Sequence, residues 1–291
     1  EYGVYVSVNG GKKWVKFSSG LPTISVRDLA IQKRENDLVA ATFGRGFYVL
    51  DDYSSLRFLS ATSLKNNLVF SPRKALQYNP IRSGSTSQGS NTYYAKNPDY
   101  GAILTFYMSD EILTKKQMRL KVEKGLEKSK SNIPFPGWKE LDDELNEKNP
   151  ITIIEIYNSE KSFIDRFTLP YKKGFNRVSW DLTRKIKTHV TSGSSRFYSP
   201  SIRVQPGKYS FNVYTVYGGQ VNKIGSKFFE VERIRPGILD NPNNDKIEEY
   251  VVEVESIFNE YSVVNSKFNK IKETNKSIMS LISRSSNYQS Y

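Results

Sequence analysis

Ser7-Val8-Asn9-Gly10-Gly11-Lys12-Lys13-Trp14, SVNGGKKW in one-letter form, reads as the tip of a β-hairpin. Val4, Val6 and Val8 alternate on one face on the way into it, the period of a half-buried strand. Ser7 and Asn9 carry side-chain oxygens that accept hydrogen bonds from backbone amides of their own turn, and Gly10-Gly11 supply positive φ without a Cβ clash. Trp14, three residues past the second glycine, is expected to fold back as an apolar plug beside the hairpin.

The same strand grammar recurs along the first 60 residues. Val26, Leu29 and Ile31, then Leu38-Val39-Ala40, then Phe47-Tyr48-Val49-Leu50 form short apolar strands punctuated by glycines. Gly3-Val4-Tyr5-Val6-Ser7 aligns with Gly46-Phe47-Tyr48-Val49-Leu50, 43 residues further on. A strand-built period of about 40 to 50 residues is the mark of a propeller blade. Residues 1–60 are therefore expected to form one or more terminal blades.

S-x-N-x-G-x-x-W resembles the Asp-box of sialidase-like and sortilin-like propellers (BNR repeats), S-x-D-x-G-x-x-W, with Asn9 in the Asp position. Asn keeps an acceptor oxygen and tolerates left-handed backbone, so the departure is mild. The resemblance implies a structural staple made of Ser7, Asn9, Gly11 and Trp14, away from any ligand face. "TFGRGFYVLDD" is likewise similar to the strand that ends the propeller of large secreted bacterial proteins described as sortilin-like or as glycosyl hydrolases. Arg45 with Asp51-Asp52 reads as a strand-end ion pair closing the last blade. As neighbours on a strand, the two carboxylates point to opposite faces and do not suit paired acid/base work.

Residues 61–97, with "RSGSTSQGSNTYY" at their core, read as a linker. From 98 to 235 several short strands separated by turns indicate a β-sandwich of immunoglobulin or fibronectin type. It carries a helical insertion at about 109–148, where Ile112, Leu113, Met118, Leu120 and Val122 give an imperfect helical stripe. A second short helix is expected near 137–148. Four marks of the domain that follows the propeller in the same bacterial proteins are present: Pro98 to Ala102, Pro136 to Leu141, Gly174 to Leu182, and Pro206 to Tyr209. Trp180-Asp181 reads as a core tryptophan with a strand-end carboxylate, and Asp142, Asp143, Glu144 and Glu147 as a solvated helix face.

Residues 240–285 follow a heptad pattern, with Asp240 or Asn244 as possible helix starts. Ile247, Val254, Tyr261, Phe268 and Ile282 share one core position, where Asn275 is the polar exception. Tyr250, Ile257, Val264, Ile271 and Ile278 share the other. This is one long helix, or two packed along a shared seam, and the 247–282 seam needs a helical partner. That partner is another chain, the sandwich, or sequence beyond Tyr291; the resemblance favours the last, and implies that the chain is an internal or C-terminal part of a longer protein whose upstream propeller is a further partner.

The chain is mainly β with helical additions, and its composition excludes several chemistries. It has no cysteine, hence no disulfide, thiolate metal site or cysteine nucleophile. His189 is its single histidine, so no histidine metal cluster or histidine-assisted serine triad can be assembled from it. No cofactor or metal site is read, and no apolar run approaches the length of a transmembrane helix. The net charge of +13 comes from dispersed basic residues without an aromatic-basic platform, and nucleic acid is set aside as a partner. Tyr93, Tyr94 and Trp138 are the candidates for stacking on a sugar or other ligand. Two functions follow from the resemblance: a non-catalytic binding or scaffolding region at a bacterial cell surface or in secreted material, with a protein or glycan ligand, or the accessory region of a glycoside hydrolase whose carboxylates lie upstream.

Overall fold

The computed structural model describes residues 2–18, 20–60, 62–80, 97–186, 201–235 and 244–285. It divides into two compact units, Glu1–Leu182 with Pro206–Ile234, and Thr183–Gln205 with Arg235–Tyr291. The protein is mainly β, and its longest element is the C-terminal helix.

In the first unit β1 (Val4–Val6) and β2 (Val15–Phe17) pair as an antiparallel hairpin, Val4 opposite Phe17 and Val6 opposite Val15. An antiparallel meander follows: β3 (Val26–Gln32), β4 (Asp37–Thr42) and β5 (Phe47–Leu50). Its register places Leu29 opposite Ala40 and Ala40 opposite Tyr48, so those three share a face. Val39, Ala41, Phe47 and Val49 fall on the other face.

Two short strands, β6 (Leu68–Val69) and β7 (Ala75–Gln77), precede β8 (Ala102–Met108). This corrects the reading of 61–97 as a linker throughout. β6 pairs with β8, and β7 adds to a sheet edge in parallel. Phe70 between them is buried and stacks on Phe175 at 5.9 Å. Strands of two and three residues are too short to show a periodicity. Helices α1 (Lys115–Lys128) and α2 (Trp138–Asn146) form the insertion. Then come β9 (Ile151–Asn158), β10 (Phe163–Pro170) and β11 (Gly174–Trp180).

In the second unit β12 (Thr183–Lys185) pairs with β13 (Ser201–Arg203). Back in the first, β14 (Gly207–Tyr217) and β15 (Gln220–Arg233) make a long hairpin through Gly218-Gly219, both at positive φ. The second unit ends in α3 (Asn244–Arg284), one continuous helix of 41 residues.

The core of the first unit lies where two sheets meet. One has the order β10-β9-β14-β15-β7 and the other β11-β8-β6. Leu104, Phe106 and Met108 of β8, Ile154 and Ile156 of β9, and Phe211 and Val213 of β14 are fully buried at alternate positions. Trp180, 2% exposed, joins the two sheets by packing on Tyr209 at 5.7 Å and Phe229 at 6.0 Å.

The conformationally special residues of two of the quoted marks have a local reason. Gly101 holds φ at +115°, and a Cβ there would press into the Trp180 carbonyl. Leu182, at φ +58° and fully buried, turns the chain after Trp180.

The insertion is polar in a different way than read. Met118, Leu120 and Val122 are exposed, and α1 buries no side chain. What holds α2 to α1 is charge. Arg119 forks onto Glu144, Nε to Oε1 at 2.7 Å and Nη2 to Oε2 at 2.9 Å, while Lys115 Nζ reaches Asp143 at 3.2 Å. These hydrogen bonds from Arg119 hold the Glu144 carboxyl below its ordinary range. Glu147 accepts from the Lys115 amide and the Tyr217 hydroxyl, so Glu144 and Glu147 dock the insertion, while Asp142 and Asp143 stay exposed on its solvated side.

Candidate functional site

At the hairpin tip the turn closes on its own side chains. Ser7 Oγ accepts from the Gly11 amide at 2.9 Å and donates to Asn9 Oδ1 at 3.0 Å, and Asn9 Oδ1 also accepts from the Lys13 amide at 2.9 Å. Gly10 and Gly11 sit at φ +69° and +85°. The Trp14 ring lies over Gly11, 3.9 Å from where a Cβ would stand, yet it is 61% exposed. It therefore lids the turn and is not a plug in a core.

Beneath the hairpin is a cleft of about 470 Å³ between β1 and the first face of the meander. Val6, Val8, Ile31, Leu38 and Leu56 give it apolar walls. Its polar side chains are Ser7, whose hydroxyl is engaged within the turn by Asn9 Oδ1 and the Gly11 amide, and Tyr53 and Arg57, with Arg57 Nη2 donating to the Tyr53 hydroxyl at 2.8 Å. A smaller space of about 160 Å³ continues toward Val4 and Ala40, both buried. A guanidinium and a phenol in an apolar cleft can orient a ligand, and the Ser7 hydroxyl donates to an amide oxygen and not to a base.

The opposite face of the meander is uncovered. Phe47 is 74% exposed and Val49 55% exposed, beside Val39 and Ala41. Polar residues would serve better there if the face met only water.

Asp51 and Asp52 do something other than pair with Arg45. Among the described residues no ion pair joins Arg45 to either carboxylate. Asp52, buried and at φ +46°, caps a 3-10 turn at Tyr53–Phe58 by accepting from the Ser54 amide. Its own amide donates to Asp37 Oδ1 at 2.9 Å. The carbonyls of Asp51 and Asp52 both accept from the Arg177 guanidinium, at 2.7 and 2.8 Å, which ties the meander to β11. An arginine fork onto two carbonyls leaves no trace in a pattern of charges, because its acceptors are backbone.

Of the ligand candidates, Tyr93 and Tyr94 lie outside the described residues. Trp138 opens α2 and is 77% exposed, with Phe135 edge-on at 5.2 Å. The structure does not bring it together with the hairpin turn or the cleft.

One polar cluster was missed in the sequence. Glu155 is buried on the β9 face opposite the core and accepts from the Tyr157 hydroxyl at 2.6 Å and Arg166 Nε at 3.0 Å. Burial pushes its carboxyl up, but the hydrogen bonds from Tyr157 and Arg166 outweigh it and the net shift is downward. The hydrogen bond to Glu155, with burial second, pushes Tyr157 up to about 12. A lone glutamate inside the apolar run "ITIIEIYN" was the available signal.

Among the described residues no group of histidines and carboxylates has the arrangement of a metal site. Compared with protein-family models, curated proteins and solved structures, the chain finds no match.

Proposed function

We propose that this chain is a non-catalytic binding and scaffolding region of a secreted or cell-surface bacterial protein, with β3–β5 as part of a propeller blade. The observation that carries this is the two-sided apolarity of that sheet. One face is covered by the β1–β2 hairpin over Ala40 but leaves Leu29 and Ile31 exposed, and the other presents Phe47 and Val49. Blades in a propeller pack face to face, so each sheet needs an apolar neighbour on both sides. The occupant of the uncovered face is another sheet of the same architecture, from an upstream propeller region. The self-closed Ser7–Trp14 turn supports the same reading as an Asp-box-like staple, and the sheets that enclose Trp180 then serve as an immunoglobulin- or fibronectin-like domain beside the propeller.

Cross-linking mass spectrometry on native material tests the proposal. Links are expected from lysines near β3–β5 to strands bearing further S-x-D-x-G-x-x-W or S-x-N-x-G-x-x-W turns. A native species of 33.4 kDa linked only to itself overturns it. The ligand class, protein or glycan, is read by glycan-panel binding and by pull-down of the same native material.

A further inference from the structure

We infer that α3 closes its apolar seam against a second copy of itself, antiparallel, about a twofold axis between Ser262 and Val263. The seam is long and open. Tyr250, Ile257, Tyr261, Val264, Phe268 and Ile271 are each more than half exposed. The helix is continuous for 41 residues, roughly 60 Å at about 1.5 Å per residue. Its first turns are anchored in their own unit, where the Arg184 guanidinium meets Glu255 at 2.8 Å and pairs with Glu248. Those two glutamates lie beside the seam and not in it; at the anchor Val251 is buried and Ile247 and Val254 are half-buried, and the stripe is open at Tyr250 and from Ile257 onward.

Two polar features choose the occupant and its direction. In an antiparallel pair, residues on one core position face the other core position of the partner helix, and the flanking positions face their own kind. With the axis at 262/263, Tyr261 meets the partner's Val264, Phe268 meets the partner's Ile257, and Val254 meets the partner's Ile271. The one polar core residue, Asn275, then meets the partner's Tyr250, whose hydroxyl can satisfy it. On the flank Glu260 meets the partner's Lys267, twice by symmetry. A parallel pair brings Lys267 of each copy beside the partner's Lys272 and sets Glu253 against an apolar Phe258, so charge disfavours it. Closure removes on the order of 800 Å² per copy from water, the size of a standard specific interface.

The experiment uses the full chain. Sedimentation and light scattering are expected to give a species of twice 33.4 kDa that dissociates at least 100-fold more readily in Phe268→Asp, with the helical signal retained. The absence of native cysteine makes disulfide trapping clean. A mixture of Tyr250→Cys and Asn275→Cys chains is expected to cross-link to each other, and neither to itself. A monomer at tens of micromolar, or self-cross-linking of Asn275→Cys, overturns the proposal. So does a wild-type dimer that Phe268→Asp leaves unchanged.

Discussion

Gly101→Ala isolates the most demanding backbone approach in the first unit. Gly101 precedes β8 at φ +115°, and an added Cβ would stand 2.8 Å from the Trp180 carbonyl carbon and closer still to its oxygen. Trp180 pairs with Ala102 across the β11–β8 ladder, so the carbonyl cannot retreat without opening the end of that ladder and shifting the buried indole. Two costs add: about 1–3 kcal/mol for an alanine held at that φ, and about 1–3 kcal/mol for forcing extra volume into a packed site. The variant should lose roughly 3–5 kcal/mol, which at about 2–4 °C per kcal/mol lowers Tm by roughly 6–20 °C. Gly218→Ala is the control. It also sits at positive φ, +59°, but in open space, and should cost only about 1–2 kcal/mol. Gly125→Ala in α1 meets nothing and needs no special φ, so it should stabilise by about 0.5–1 kcal/mol. Circular dichroism melts with tryptophan emission read all three. A Gly101→Ala variant no less stable than Gly218→Ala would refute the close-approach reasoning.

Three further outcomes are expected. Asn9→Ala removes the acceptor shared by Ser7 and Lys13 and should cost about 1 kcal/mol, while Asn9→Asp keeps it and should be neutral or better; amide exchange at Lys13 separates the two, and equal protection in both would count against the turn geometry. The Glu155–Tyr157 pair makes stability depend on pH at both ends. The Glu155 contribution is present above its ordinary value of 4.5 and lost as pH falls through its lowered value, whereas that of Tyr157 is present below 10 and lost as pH rises from 10 toward about 12. Urea midpoints against pH should therefore flatten in acid for Glu155→Gln and in alkali for Tyr157→Phe, and unchanged limbs in either variant would remove the linkage. Acrylamide should quench Trp14 and Trp138 and spare Trp180, so that Trp180→Phe abolishes the protected emission; a protected fraction surviving in that variant would mean that Trp14 or Trp138 is covered.

How far the sequence went depends on the range over which its signals act. The Ser7–Trp14 turn was legible because its acceptors and donors lie within four residues of each other, and the Asn158 turn is local in the same way. In the second, Asn158 Oδ1 takes the amides of Glu160 and Ser162. β9, β10, β14 and β15 belong to the turn-separated strands expected over 98–235, where β-branched and aromatic runs leave little competition from helix. α3 was legible by period alone, although period did not decide between one helix and two. The reading failed where the partner is distant or is backbone. β6 and β7 are strands only because β8 and β15 offer them an edge, and nothing in Leu68-Val69 announces that. Asp51-Asp52 invited a charge-pairing account, yet the arginine that meets them is Arg177, more than 120 residues away, and it takes their carbonyls. The acidic stretch of α2 shows the same effect from the other side. Glu144 and Glu147 look as solvated as their acidic neighbours until the Arg119 guanidinium and the Lys115 amide of α1 are found against them. The distinction bears on the candidate site. An exposed apolar sheet face is a long-range feature, so Phe47 and Val49 read in sequence as ordinary strand residues, and only their exposure in the fold sets them apart.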